Sequence, residues 1–245
     1  MQKIYLIIPV YNEAANIEKL LANLGRLIDR EYFRIIFIDD GSTDDTLKLL
    51  CSQNSFANLE IIRHQKNLGI AQTFYDGLYA AVSKADSGDT IIIMEGDNTS
   101  DVSLIPQMSN FIAEGKDIVI ASRYCRGGGS KNFPWRRSWG SKVVNRLLQM
   151  FFYLPQVTDY SIFYRAYRAE LIWQALMKLG PALMTTNSFA ANLELLLKLQ
   201  QFKPQVVEVP FVYDYGLKQG SSKMKLWATL WEYRLLFIKR LFGRI

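Results

Sequence analysis

The sequence predicts an α/β fold, a mostly parallel central sheet flanked by helices and followed by a C-terminal amphipathic helical segment. Continuous apolar runs of strand length alternate with stretches whose apolar residues recur at helical spacing. An unbroken apolar run is what a strand covered on both faces needs. Acidic residues gather where those runs end, and open α/β sheets bind ligands beyond the carboxyl ends of their strands.

The strands of the first half are "KIYLIIPV" (3–10), "FRIIFID" (33–39), "LEIIRH" (59–64), "TIIIME" (90–95) and "DIVIASR" (117–123). Between them, "EAANIEKLLANLGRLI", "TDDTLKLLCSQ", "GIAQTFYDGLYAAVSK" and "VSLIPQMSNFIAEG" carry the helical period, and this alternation makes the sheet mostly parallel. The second half is less regular. A Gly-rich basic loop, "GGGSKNFPWRR" (127–137), leads into the helix-like "SWGSKVVNRLLQMFFYL". "TDYSIFYRAYR" (158–168), helix-like runs at roughly 165–179 and 187–201, a strand in "QVVEVPFVY" and a last helix near 222–243 complete the chain. With no repeat, low-complexity tract or linker, the expectation is one domain over 1–221 with a basic amphipathic helix at 222–245.

Composition narrows the class. The 245 residues are 49% hydrophobic and 21% charged, enough for a large core. Cys51 and Cys125 are the only thiols, which argues against a disulfide framework and for a reducing, cytoplasmic compartment. The apolar run before Pro9 is too short for a secretory signal, and no window approaches the roughly 20 apolar residues of a transmembrane helix. The net charge is +6, and residues 218–245 hold seven basic residues against Glu232 alone, so the whole excess lies there. A charge-balanced body with acidic strand ends argues against nucleic-acid binding.

The first strand ends in Pro9-Val10-Tyr11-Asn12-Glu13, the second in Asp39-Asp40-Gly41-Ser42 and the fourth in Glu95-Gly96-Asp97. Acids can surround a nucleotide diphosphate only if a divalent cation bridges the like charges. Mg²⁺ or Mn²⁺, held by one or two carboxylates with phosphate oxygens and water, suits that task. Asp97, helped by Glu95, is the expected metal seat. The hydroxyls and N–H groups of ribose and base want acceptors, which Glu13, Asp39 and Asp40 supply. Each piece also has a simpler reading. An E-x-D triplet arises by chance, "IDDGSTDDT" also reads as a turn with a helix cap, and Glu13 suits a helix dipole. The single His64 reads as structural. The coincidence of the acid clusters favours a ligand site.

The ordered series "IIPVYNEAANI", "IIFIDDGSTDDT", "NLGIAQTFYDGL", "IIIMEGDNTSD" and "IVIASRY" resembles the inverting family 2 glycosyltransferases of GT-A fold. The later "VTDYSIFYRAYRAEL", "EVPFVYD" and "GSSK" are similar to the polyprenyl-phosphate glycosyltransferases, the group of dolichol-phosphate mannose synthases, and the likeness spans 3–223. It implies that Pro9, Tyr11 and Glu13 hold base and ribose, and that Asp40 is the nucleotide-binding acid after the second strand. Glu95 and Asp97 would bind the metal and the sugar-nucleotide diphosphate. Arg123 would lie near the donor, Asp159, Ser161 and Arg165 on the acceptor side, and Ser222 and Lys223 in a loop closing over the diphosphate. Two departures stand out. The family's first metal acid is usually Asp, and Glu95 reaches one methylene further, to touch the metal, act through water or leave Asp97 to coordinate. An arginine usual before the closing "SK" is missing, and Lys218 replaces its charge but not its bidentate geometry.

The expected reaction is inverting transfer of a sugar from a nucleotide-sugar donor to a polyprenyl phosphate. Asp97, Arg123, Lys223 and the metal serve the leaving group, and Asp159 orients the acceptor. With a sugar hydroxyl as acceptor, Asp159 would be the first candidate base. Another reading is a non-catalytic membrane-bound scaffold. On a helical wheel from Met224, Lys225, Thr229, Glu232, Lys239 and Arg240 share one side. Leu226, Trp227, Leu230, Trp231, Tyr233, Phe237, Ile238 and Leu241 share the other, with Arg234 and Leu236 misplaced. Such a helix suits an anionic membrane surface, as does the aromatic and basic stretch 133–153. The expectation is therefore a peripheral enzyme on the inner face of the membrane, with a membrane protein or a second copy as further candidate partner.

Overall fold

The computed structural model describes residues 2–27, 31–52, 58–132, 135–220 and 226–242. The apolar runs of the first half become β1 (Ile4–Val10), β2 (Phe33–Asp39), β3 (Leu59–Arg63), β4 (Thr90–Ile93) and β5 (Ile118–Ser122). Between them run α1 (Ala14–Leu27), α2 (Thr46–Cys51), α3 (Ile70–Val82) and α4 (Ile105–Ala113). β6 (Gly129–Lys131), α5 (Trp135–Phe151), β7 (Arg165–Arg168), α6 (Ala169–Leu179) and α7 (Ala191–Leu199) follow. β8 (Val206–Pro210), β9 (Val212–Asp214) and α8 (Leu226–Leu241) complete the order.

Seven strands form one sheet in the order β3-β2-β1-β4-β7-β5-β8. β1 pairs in parallel with β2 on one side and β4 on the other, while the chain winds outward to β3 in between. The exits of β1 and β4 therefore flank the point where the winding reverses, the usual place for a crevice. Ile91, Ile92 and Ile93 of β4 and Leu6, Ile7 and Ile8 of β1 are buried, as continuous apolar runs require.

Gly96 holds those two exits together. A Cβ there would lie 2.7 Å from Val10 Cγ1 and 3.0 Å from Pro9 O, so the residue between the two acids has to be glycine. Gly41, after β2, has φ +72° and its Cβ would meet Lys66 C at 2.5 Å; the turn must lie against the 66–69 segment with no side chain between them.

The structure differs from expectation in three places. Residues 165–168, expected to open a helix, are the strand β7, antiparallel to both β4 and β5. Without it those two ladders would face a gap, so pairing overrides local preference, and α6 begins at Ala169. The helix expected from about 187 begins at Ala191, because the Asn187 and Ser188 amides are held by the Glu232 carboxylate. Thirdly, "QVVEVPFVY" is divided between two sheets. Pro210 has no N–H to continue the ladder, so β8 ends there and β9 pairs with β6 instead.

α8 docks by the side that the wheel marks as polar. Thr229 and Leu236 are buried, and Glu232 accepts from Asn187 N at 2.8 Å and Ser188 N at 2.9 Å. Lys239 reaches Thr185 Oγ1 at 3.1 Å. Leu236, misplaced on the wheel, is the apolar centre of this docking face.

Candidate active site

At the end of β4, Asp97 is 4% exposed. Its Oδ1 accepts the Thr99 hydroxyl at 2.6 Å and the Thr99 amide at 3.2 Å, and its Oδ2 accepts Lys218 Nζ at 2.6 Å. Glu95 stands beside it and accepts the same Thr99 hydroxyl at 3.3 Å. Burial, and next the Asp97 charge, push the Glu95 carboxyl up to about 8, against the opposing pull of Lys218 and Arg123.

These residues fit a divalent ion. Both side chains offer hard oxygen donors, and among the described residues no group of three or more His, Cys, Asp or Glu converges to form a closed site. An ion held here would complete its shell with phosphate oxygens and water, as Mg²⁺ and Mn²⁺ do in phosphate sites.

Opposite the acids, Arg123 forms a two-pronged pair with Asp159. Nε reaches Oδ2 and Nη2 reaches Oδ1, both at 2.8 Å, and Nη2 also donates to Ser161 Oγ at 2.7 Å. Asp159 is fully buried and further accepts the amides of Arg123, Ser161 and Ile162. Burial alone would raise its pKa, but the Arg123 charge and hydrogen bonds outweigh it and hold the carboxyl below its ordinary value. A carboxylate so saturated is a poor proton acceptor. The Arg123 guanidinium also lies 5.1 Å from the Tyr124 ring centroid and 5.9 Å from that of Tyr213.

Arg165 lies beneath this loop rather than in the cleft. Fully buried, it donates to the carbonyls of Asn192 and Tyr160, both at 2.9 Å. It therefore acts on any acceptor only through the loop that it pins. Glu208 of β8 fixes the same loop, accepting Thr158 N at 2.7 Å and Asp159 N at 2.9 Å.

The acids after β1 and β2 divide their work. Asp39 Oδ1 accepts Ser42 N at 3.0 Å, whereas its buried Oδ2 meets no donor among the described residues. Asp40, expected to meet the nucleotide, accepts three hydrogen bonds from its own chain. Its carboxylate takes His64 Nδ1 at 2.8 Å, Leu68 N at 2.8 Å and Gly69 N at 3.0 Å. His64 contacts Asp76 at 3.0 Å through its other nitrogen, the structural role read from the sequence. Pro9, Tyr11 and Glu13 sit half-buried at the exit of β1, where Glu13 Oε2 accepts Asn16 Nδ2 at 2.6 Å. Ser222 and Lys223 lie outside the described residues.

Sequence reasoning did not single out Thr99, Asn16 or Tyr213. Thr99, two positions beyond Asp97, bridges both acids. Asn16 ties the start of α1 to residue 219, accepting Gln219 N at 3.2 Å. The buried Tyr213 hydroxyl has its pKa raised by burial and then by Glu95 and Asp97, which places it against the acids. Only the place of this tyrosine within "EVPFVYD" hinted at its role.

Residues 5–176 match the family model described as Glycosyl transferase family 2. A dolichol-phosphate mannosyltransferase of Pyrococcus furiosus is 32% identical over 238 residues, which are 94% of this chain and 61% of that protein. The chain thus spans about three fifths of that relative's length. A polyprenol monophosphomannose synthase of Mycolicibacterium smegmatis is 26% identical over 226 residues, 91% of this chain and 81% of the other. Among solved structures, glucosyl-3-phosphoglycerate synthase from Mycobacterium tuberculosis, in complex with Mn²⁺, uridine-diphosphate and phosphoglyceric acid, superposes with a TM-score of 0.69 at 18% identity. It covers 99% of this chain and 78% of that one, and the likeness shows a shared GT-A-like fold. By the match over residues 5–176, the chain belongs to glycosyltransferase family 2.

Proposed function

We propose that this glycosyltransferase moves a sugar from a nucleotide-diphosphate donor to a polyprenyl phosphate, with inversion and with a divalent ion at Asp97 and Glu95. The observation that carries the choice of acceptor is the state of Asp159. An acid held ionised by Arg123, with both oxygens occupied, suits positioning and not proton abstraction. A phosphate acceptor is already ionised at neutral pH and needs no strong base. The names of the two curated relatives point the same way.

In this reading Glu13 and Asp39 accept from ribose and base, Asp39 Oδ2 being an acceptor that meets no donor among the described residues. Pro9 and Tyr11 line the base, and Asp40 shapes the pocket from behind through the 64–69 segment. A bound divalent ion would stabilise the leaving diphosphate. Arg123, whose charge acts on Glu95, adds a fixed positive charge near the donor for the leaving group, with Ser222 and Lys223 proposed to close the phosphate end.

The acceptor's lipid would be presented by a membrane surface. α5 exposes Trp135, Trp139, Val143, Leu147 and Met150, and α8 exposes Trp227, Trp231, Ile238 and Leu241. The two helices meet where Phe151 and Phe237 lie 4.6 Å apart. Exposed Lys142, Arg146, Arg234 and Arg240 supply charge for anionic headgroups. No helix among the described residues is long and apolar enough to cross a membrane. The test is a panel of nucleotide sugars with a short polyprenyl phosphate, with and without chelator. Turnover that disappears with chelator is expected, and its absence for every donor would refute the reading.

A further inference from the structure

Lys218 is paired with the principal acid of the proposed metal seat. Its ammonium sits 2.6 Å from Asp97 Oδ2, and the two side chains are 13% and 6% exposed, so this is no solvated surface pair. The neighbouring chain is tied down as well. Gln219 N donates to Asn16 Oδ1 at 3.2 Å, and Asn16 Nδ2 donates to Gln219 O at 3.1 Å and to Glu13 Oε2 at 2.6 Å. Residues 218–219 therefore link Asp97 to the side of the cleft that holds Glu13. Just before them, Asp214 Oδ1 accepts Gly216 N at 2.9 Å and fixes the turn from which Lys218 projects.

We propose that Lys218 is the resident cation of the Asp97 seat in the donor-free protein, that it and a divalent ion are alternative occupants, and that loading the ion lifts residues 215–220 from the cleft. This rests on the reading of the seat as a metal site. Asp97 Oδ1 already accepts two hydrogen bonds from Thr99, so an ion bound by Asp97 approaches Oδ2, where the ammonium lies. Two cations at contact with one oxygen stand roughly 4 Å apart and repel strongly, with little water between them to weaken the effect. A lysine suits an occupant that leaves: its charge is compact, its stem is flexible, and it needs no paired geometry. Because Gln219 shares the latch, the movement that frees Asp97 also frees Asn16 and the Glu13 side of the cleft. One displacement would open both the metal seat and the nucleoside side.

The test is an Mn²⁺ titration of the whole chain without nucleotide, followed by the electron paramagnetic resonance of the free ion. Lys218→Met should bind Mn²⁺ at least about tenfold more tightly than the parent, while Lys218→Arg, which keeps the charge, should not. Hydrogen exchange at the Gln219 amide should be slow in the parent and accelerate with Mn²⁺. Equal or weaker Mn²⁺ binding by a folded Lys218→Met protein, or unchanged Gln219 protection at saturating Mn²⁺, would overturn the exchange alone. Failure of both proteins to bind Mn²⁺ would overturn the metal seat and the exchange with it.

Discussion

Neutralising Glu95 should make the metal-free protein more stable at alkaline pH, although it removes a family motif residue. Burial and the Asp97 charge push this carboxyl up to about 8 from its ordinary 4.5. Between those values the folded chain binds more protons than the unfolded one, so stability falls as pH rises through that window. A tenfold difference in proton affinity between the two states is worth about 1.4 kcal/mol. Asp97, Lys218, Arg123 and Tyr213 all face Glu95, and their mutual adjustment reduces the loss to on the order of 2–4 kcal/mol at about pH 9. Glu95→Gln keeps the shape and removes the titration. Urea unfolding in chelator should show the variant close to the parent at about pH 5, and on the order of 2–4 kcal/mol more stable at about pH 9. Mn²⁺ should restore most of the alkaline loss to the parent and little to the variant. Parallel stability curves for the two proteins, or a variant weaker throughout, would refute the reasoning.

Asp97→Ala should lower turnover by roughly a thousandfold or more, while Glu95→Asp should stay within about tenfold of the parent; comparable kcat for both variants would show the division of labour to be wrong. Asp159→Asn strands the Arg123 charge in a buried place and should cost about 3–5 kcal/mol in urea unfolding. Arg123→Met with Asp159→Leu should recover most of that stability without recovering turnover. Trp227→Ala with Trp231→Ala removes side chains that are 83% and 56% exposed. If each buries about 100 Å² in a bilayer, at roughly 25 cal/mol per Å², binding to anionic vesicles should weaken at least about a hundredfold. The melting temperature should hardly move.

The first five strands were legible because each is an apolar run bounded by turn residues, buried in β1, β2, β4 and β5 and half-buried at the edge strand β3, and the site was legible wherever a strand end placed an acid. β7 was not, since "RAYR" carries no strand signal of its own and takes its conformation from the ladders on either side. The role of Lys218 was beyond the sequence for a similar reason: it meets Asp97 across 121 positions of chain, and only the folded turn at 214–217 brings them together. The wheel identified a two-sided α8 but not its orientation, because Glu232 reads as a solvent residue until the Asn187 and Ser188 amides are seen to need an acceptor. Asp40 shows the opposite limit. A motif match marks its importance without telling contact with a ligand from construction of the pocket.

Glu95 and Lys218, the two departures from the family pattern, are coupled through one constraint. Gly96 locks the exit of β4 against β1, since even a methyl group would strike Val10 and Pro9, so the backbone has no room to carry the first acid forward. A longer side chain is then the available way for a carboxylate to extend from that fixed point. It also places a second acid beside Asp97, where burial makes an uncompensated charge costly. Arg123 is committed to Asp159, which leaves Lys218 as the cation bonded to Asp97 among the described residues. One ammonium against two carboxylates leaves Glu95 holding its proton. In the proposed exchange a divalent ion held by Asp97 and Glu95 would balance both acids, with Glu95 giving up its proton and the Lys218 ammonium left free to face the donor's diphosphate. A glutamate without the lysine would leave the empty site overcharged. A lysine without the glutamate would pair fully with Asp97 and give an incoming ion little advantage over it.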